Sequence, residues 1–285
     1  MMEKICKSFI FYCSPAGTTR HTAQVMARTL KAKQQNAVIC EVGKDESQLT
    51  QVLHHLAETD GQVVIFIGSP VYASHALPLI MDLIDRLPEK DQGYAVPFVT
   101  WGGATSGLAL EEMGAALTTR GYSVIAAAKV LAVHSLMWLL ENPVAAGHPD
   151  ANADALIKEL VNTVEKNMTH PEPELLPATK LEYQPREMAD DMRKLDLKMA
   201  KTILPPRTVN QELCTQCGEC AVNCPVEALT LTPWPTFAES CICCFNCMRL
   251  CPENAIEADL THIYERINER AEAAREGAPT QIYLP

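Results

Sequence analysis

No apolar run in this sequence approaches the ~18 residues that a membrane-crossing helix needs, and the stretch from Phe9 to Cys13 is too short for the core of a secretion signal. The chain therefore reads as cytosolic, without a membrane span. Positive charge is scarce as well. Against 35 Asp and Glu stand 24 Lys and Arg, a net charge of -11, which lacks the clustered cations that nucleic acid demands and disfavours an acidic partner. Two glycine motifs are also missing. Without G-x-x-x-x-G-K-[ST] no NTPase loop is expected, and without G-x-G-x-x-G no dinucleotide site. No acid–base pair stands out as catalytic, and no DNA-binding module is visible.

What is present is enough chain for two domains: 285 residues, 47% apolar and 21% charged, a globular composition. Residues 1–166 alternate β-rich apolar runs with helical patterns, the signature of a parallel sheet covered on both faces. Five strands are expected at Ser8–Cys13, Ala37–Val42, Val63–Ser69, Ala95–Trp101 and Tyr122–Val130, with a closing helix over Ala153–Lys166. A proline-rich segment, 167–207, marks a boundary because proline continues neither a helix nor a central strand. Within it, Met188, Met192, Leu195 and Met199 fall on one face of an expected amphipathic helix. A small cysteine-rich unit follows over 208–258. A helix over Leu260–Arg275, stopped by Gly277 and Pro279, and a tail complete residues 259–285.

Twelve cysteines are many for a reducing compartment, where they point to metal or redox chemistry rather than disulfides. Nine crowd between Cys214 and Cys251. Cys214, Cys217, Cys220 and Cys224 repeat at an offset of 27 residues as Cys241, Cys244, Cys247 and Cys251, and CPVEAL repeats as CPENAI, so one small unit is duplicated. A C-x2-C-x2-C-x3-C-P run curls three thiolates around one corner of a cubane and sends the fourth to a neighbour. Structural zinc sites instead pair cysteines two by two across a longer loop. Two [4Fe-4S] clusters are therefore expected. Cys243 has Gln216 as its counterpart and reads as a packed thiol, as do Cys6, Cys13 and Cys40.

This unit resembles the bacterial two-cluster ferredoxins over about fifty residues, with all eight ligands and both prolines, Pro225 and Pro252, in place. Their crossed ligation implies Cys214, Cys217, Cys220 and Cys251 on one cluster, and Cys241, Cys244, Cys247 and Cys224 on the other. Between Thr208 and Ala258 six glutamates face one basic residue, Arg249. Such a surface steers redox partner proteins with basic docking patches.

In the first half, Ser14, Thr18 and Thr19 follow the first strand and offer hydroxyls beside the N–H groups of a helix start, a cradle for a phosphate monoester without a lysine. The third and fourth strands end in Gly68–Ser74 and Thr100–Gly107. In a doubly wound sheet these three loops share the carboxyl edge where ligands bind. Tyr72 and Trp101 can flank a planar ring there, so a flavin site is expected. His21, His75 and His134 read as solvent or core histidines.

The three loops are similar to those of the flavodoxin family. That resemblance implies a doubly wound α/β fold with a five-stranded parallel sheet and bound FMN. It also implies site positions: Ser14, Ala16, Gly17, Thr18 and Thr19 at the phosphate; Ser69, Pro70, Val71, Tyr72 and Ala73 at the first ring loop; Thr100, Trp101, Gly102 and Gly103 at the second. Ala16 lacks the hydroxyl often found there, and Ser74 stands where glycine is common. As a whole the chain resembles the flavodoxin–ferredoxin fusions of anaerobic bacteria, an α/β half followed by a small α+β two-cluster half. The expected role is electron transfer, with the clusters passing single electrons and the flavin converting between one- and two-electron steps. The alternative is an FMN-dependent reductase of a small conjugated or quinone-like acceptor.

Overall fold

The computed structural model describes residues 7–274, 276 and 280–285. Cys6, Arg275, Gly277 and Pro279 lie outside them. The first half runs β1 (Lys7–Tyr12), α1 (Thr18–Ala32), β2 (Ala37–Glu41), α2 (Glu46–Glu58), β3 (Val63–Tyr72), a two-residue β4 (His75–Ala76) and α3 (Pro78–Arg86). It continues through β5 (Gly93–Trp101), α4 (Ala109–Thr119), β6 (Ser123–Val124), β7 (Ala127–Leu131) and α5 (Ala151–Met168). Strands β1, β3 and β5 are buried on both faces because helices cover both, so their sequences read as unbroken apolar runs. Each fully buried Phe, Ile or Leu contributes roughly 1.5–3 kcal/mol.

The parallel strands lie in the order β2-β1-β3-β5-β7, the flavodoxin-like doubly wound arrangement. The order reverses at β1 and β3, opening a crevice at their carboxyl ends. The fifth expected strand splits into β6 and β7. Between them Ile125 N–H donates to Ala95, while the Val124 carbonyl accepts from Leu176 N–H of the segment leaving α5. Helix α5 begins two residues earlier than expected because the Asp150 side chain accepts from Ala153 N–H, a cap worth about 1 kcal/mol.

The helix expected through Met188 and Met199 is two helices, α6 (Arg186–Met192) and α7 (Leu197–Ile203). The break has a local cause: the Asp196 carboxylate accepts from Met199 N–H and starts a new helix in a new direction. Next come β8 (Thr208–Val209), α8 (Glu219–Val222), β9 (Leu229–Leu231), β10 (Pro235–Phe237), α9 (Asn246–Arg249) and β11 (Ile256–Glu257). β9 pairs with β10 and β8 with β11, both antiparallel. The 27-residue repeat is visible in the backbone. Left-handed positions Gln216, Gly218 and Glu227 recur at Cys243, Phe245 and Asn254, and α8 recurs as α9.

The chain then returns to its first half. Helix α10 (Thr261–Ala274) lies over the crevice, and β12 (Gln281–Tyr283) adds an antiparallel strand to β7, with Gln281 opposite Lys129 and Tyr283 opposite Ala127. This sixth strand covers a sheet edge. Tyr283 stacks on Tyr183, ring centroids 5.5 Å apart. No described helix is long and apolar enough to cross a membrane.

Candidate cofactor sites

At the carboxyl edge of the sheet lies a cavity of about 660 Å³, within the range of small-molecule sites. Of the residues expected at a flavin, Ala16, Thr18, Thr19, Pro70, Val71, Tyr72, Ala73, Thr100, Trp101 and Gly102 line it. Ser14, Gly17, Ser69 and Gly103 stand behind that lining and shape it. The Ser14 hydroxyl accepts from Arg20 N–H, and Gly17 takes a left-handed conformation that starts α1. Buried Ser69 accepts from Leu77 N–H and donates to the Pro70 carbonyl. Thr19 and Thr100 share a hydrogen bond of 2.7 Å that ties the first loop to the third. The opening N–H groups of α1 have no intrahelical acceptor, so this end of the cavity is suited to an anion.

The first ring loop is a two-residue hairpin turn. Ala73 and Ser74 both adopt positive φ, 49° and 75°, as a primed turn between paired Tyr72 and His75 requires. The Tyr72 hydroxyl is buried at the cavity wall beside Ser135. Burial holds its pKa well above the usual tyrosine value, and nearby Cys244 and Cys13 add to the effect. In the second ring loop a Cβ on Gly102 would sit 2.6 Å from the His134 ring. His134 Nδ1 accepts from Leu136 N–H, which puts the proton of the neutral ring on Nε2. Burial lowers its pKa to about 4, so it is uncharged at neutral pH. His75 is engaged by Glu112 and the Met192 carbonyl, and His21 by Asp154.

The cysteines surround two adjacent hollows. Cys214, Cys217, Cys220 and Cys251 line the outer one; Cys224, Cys241, Cys244 and Cys247, with Cys220 at the edge, line the inner one. These are the two sets that crossed ligation implies. Equivalent N–H groups point at the fourth sulfur of each repeat, Ala228 N–H to Cys224 Sγ and Ala255 N–H to Cys251 Sγ, both at 3.2 Å. Among the described residues no three metal-ligating side chains gather tightly enough for a single ion.

The hollows and the cavity share walls. Cys220 lines both hollows, and Ile242 lines both the inner hollow and the cavity at the sheet edge. Arg249, on α9, donates to the carbonyls of Pro15 and Ala16 at 2.7 and 3.2 Å, fastening the inner repeat to the first loop. Gly43 admits the same approach, since a Cβ there would lie 2.0 Å from the Pro225 carbonyl oxygen. Cys243 lines the cavity and is only half buried, so it is not simply a packed core thiol. Cys13 and Cys40 are buried, as expected, and burial raises both thiol pKa values, that of Cys40 to about 11.

Several residues escaped sequence reasoning. Arg207 lies just ahead of the first cysteine, its guanidinium 3.3 Å from Cys241 Sγ and 3.7 Å from Cys247 Sγ, stacked over Phe237 and Phe245. Arg266 and Arg270 line the cavity from α10. Lys129 and Glu276 form a buried ion pair of 2.8 Å, and the same carboxylate accepts from Thr105, Ser106 and Gln184. The one available signal was the four-residue spacing of Arg266 and Arg270 beside the apolar stripe Ile263 and Ile267.

Residues 207–230 match a family described as 4Fe-4S binding domain. No curated protein matches the sequence. Among similar solved structures, rubredoxin oxygen:oxidoreductase from the anaerobe Desulfovibrio gigas is 18% identical, with a TM-score of 0.45 over 56% of this chain. The chain covers only 35% of that protein. A flavodoxin from the domain Archaea is 19% identical (TM-score 0.42, 57% of this chain and 99% of that one). An NADH:FMN oxidoreductase in its apo form is 16% identical (TM-score 0.42, 59% and 92%). The chain thus joins a sheet of flavodoxin-like order to a cysteine-rich part that carries a 4Fe-4S binding domain.

Proposed function

We propose that this protein relays electrons between two [4Fe-4S] clusters and FMN. The observation that carries the reading is the pair of shared walls: Cys220 between the two hollows and Ile242 between the inner hollow and the flavin cavity. Groups held there would neighbour one another in series, since Cys220 borders both hollows and Ile242 borders the inner hollow and the cavity. The residues fit the groups: four thiols per hollow for the cubanes, and for FMN a lysine-free helix-start cradle and a glycine with no room for a side chain. Cys214, Cys217, Cys220 and Cys251 would hold the outer cluster; Cys224, Cys241, Cys244 and Cys247 the inner one. Bound FMN would supply the exchange between paired and single electrons.

The chain's own part is positioning. Arg249 holds the inner repeat against the first loop, Thr19 and Thr100 lock two loops together, and neutral His134 keeps a ring N–H at the cavity wall. The outer hollow faces solvent through exposed Cys217 beside Glu219 and Glu253. It suits docking by a redox protein with a basic patch.

A second reading, reduction of a small conjugated acceptor, is favoured by the roof. Leu197, Ala200, Ile203 and Leu204 from the α7 region, with Ile263 and Ile267 from α10, close the cavity from above. Under that partial cover a small molecule fits more readily than the flat surface of a protein.

The test is anaerobic purification with iron, sulfide and FMN quantified on one sample, followed by stopped-flow reduction with dithionite. Cluster bleaching followed by flavin bleaching supports the relay. Fully reduced clusters beside a persistently oxidised bound flavin would overturn it, as would refusal of FMN by cluster-loaded protein.

A further inference from the structure

The roof carries more than apolar side chains. On one face of α10, His262, Arg266, Glu269 and Arg270 line the cavity. Arg270 is half buried and donates to the Ser74 hydroxyl at 2.9 Å, which fixes its guanidinium over the first ring loop. Arg266 lies one turn earlier on the same face, ~6 Å along the axis. Among the described residues neither forms a salt bridge. Burial and the neighbouring charge of Arg266 both lower the Arg270 pKa, so the pair repel each other.

Two guanidiniums on one wall of a cavity, one of them half buried and the two outnumbering the single carboxylate among the lining residues, Glu269, suit that wall to an anion. The FMN phosphate is not that anion. Its cradle is built by Ala16, Thr18 and Thr19 at the start of α1, whereas Arg270 is bonded to the turn that follows β3. Planar guanidinium forks match a carboxylate in two-point geometry, and the roof around them is aliphatic.

We propose that Arg266 and Arg270 form an acceptor subsite that selects a flat conjugated molecule bearing a carboxylate, held between the α10 roof and the first ring loop. This inference rests on the small-acceptor reading above. A quinone held there would take two electrons, arriving singly through the clusters from an external low-potential donor such as dithionite, and two protons from solvent, to become a hydroquinone.

The test needs no turnover. Anthraquinone-2-carboxylate and its neutral carboxamide are titrated by calorimetry into cluster-loaded protein saturated with FMN, for the parent chain and for Arg266→Gln, Arg266→Lys and Arg270→Gln. Arg266 is exposed, so its variants fold. The parent should prefer the carboxylate by about tenfold or more, the worth of one charge-assisted contact. Arg266→Gln and Arg270→Gln should erase that preference, and Arg266→Lys should keep part of it. Equal affinity for both probes in the FMN-loaded parent would overturn the subsite and leave the relay standing. So would variants that lose FMN affinity instead of carboxylate preference, which would assign the arginines to the flavin phosphate. A protein that takes up no FMN ends the relay reading, and this inference falls with it.

Discussion

The two cysteine hollows come from one duplicated sequence yet occupy opposite environments. The outer one has an exposed cysteine, Cys217, acidic neighbours, and apolar Leu213 and Val222 open to solvent at 47% and 79%. The inner one has Cys224, Cys241 and Cys247 buried, Ile242 set into the core of the sheet domain, and Arg207 against its sulfurs. A symmetric repeat thus becomes a directional device through what surrounds it. One pole is open to solvent, and the other is packed against the cavity at the sheet edge.

The strongest way to break this contrast is to remove one ligand from each pole. Cys251→Ser should cost the outer cluster while the protein stays folded, the residue being half exposed. Cys224→Ser should cost the inner cluster and much of the soluble yield, because metal ligation and folding are coupled where the core is small. Iron content and electron paramagnetic resonance of both variants check this. Equal losses of yield would show that the poles do not differ.

Next in size is Glu276→Gln, which sharpens the sealed side. Removing one partner of the Lys129–Glu276 pair, both side chains under a tenth exposed, should destabilise by about 3 kcal/mol or more and lower the melting temperature. Burial raises the Glu276 pKa, but hydrogen bonds from Lys129 and Ser106 outweigh it, so the net shift is downward. This stability is present above the unfolded carboxylate pKa of about 4.3 and is lost as pH falls through the lower folded value. Once the pH lies below that folded value, the melting curve should therefore converge with that of the variant.

A subtler probe is Arg207→Gln. Two N–H···S contacts favour the electron-rich state of a cluster held by Cys241 and Cys247. Their loss should make the inner cluster harder to reduce, on the order of 60 mV for a tenfold change in a one-electron equilibrium, with the outer cluster unmoved. A redox titration followed by electron paramagnetic resonance distinguishes the two. Movement of both potentials would show that Arg207 acts on the whole unit. The smallest effect concerns His75. Its hydrogen bond to Glu112 raises its pKa, so its contribution, below about 1 kcal/mol, is present below pH ~6.5 and fades as pH rises through the folded value. His75→Gln should flatten that part of the stability profile.

The contrast also explains what could be read from residues alone. The cysteine spacing survives any packing, because three thiols on one tight curl are a local property, and the apolar runs of β1, β3 and β5 announce a sheet buried on both faces. The roof was not legible. Its residues come from α7 and α10, separated by the whole cysteine unit, and the three-residue β12 is too short for any alternation to show. The break at Asp196 was hidden as well, since the three- and four-residue spacing of Met188, Met192, Leu195 and Met199 runs straight across it. A cap acceptor looks like any surface aspartate until the chain turns there. Arg207 was invisible for a similar reason: one cation before a cysteine run carries no pattern, and only folding brings it to sulfurs more than thirty residues downstream.

Because β12 pairs with β7, the cysteine unit is not an appendage swinging on a proline tether. It is spliced into a loop of the sheet domain and moored on both sides, by α6 and α7 on entry and by α10 and β12 on exit. The spacing between the cysteine hollows and the sheet-edge cavity is then a property of topology, as fixed as the distance between two rungs of one ladder. Lengthening the proline segment by a few residues should leave intramolecular electron-transfer rates nearly untouched, whereas cutting the chain after Ala274 should loosen them.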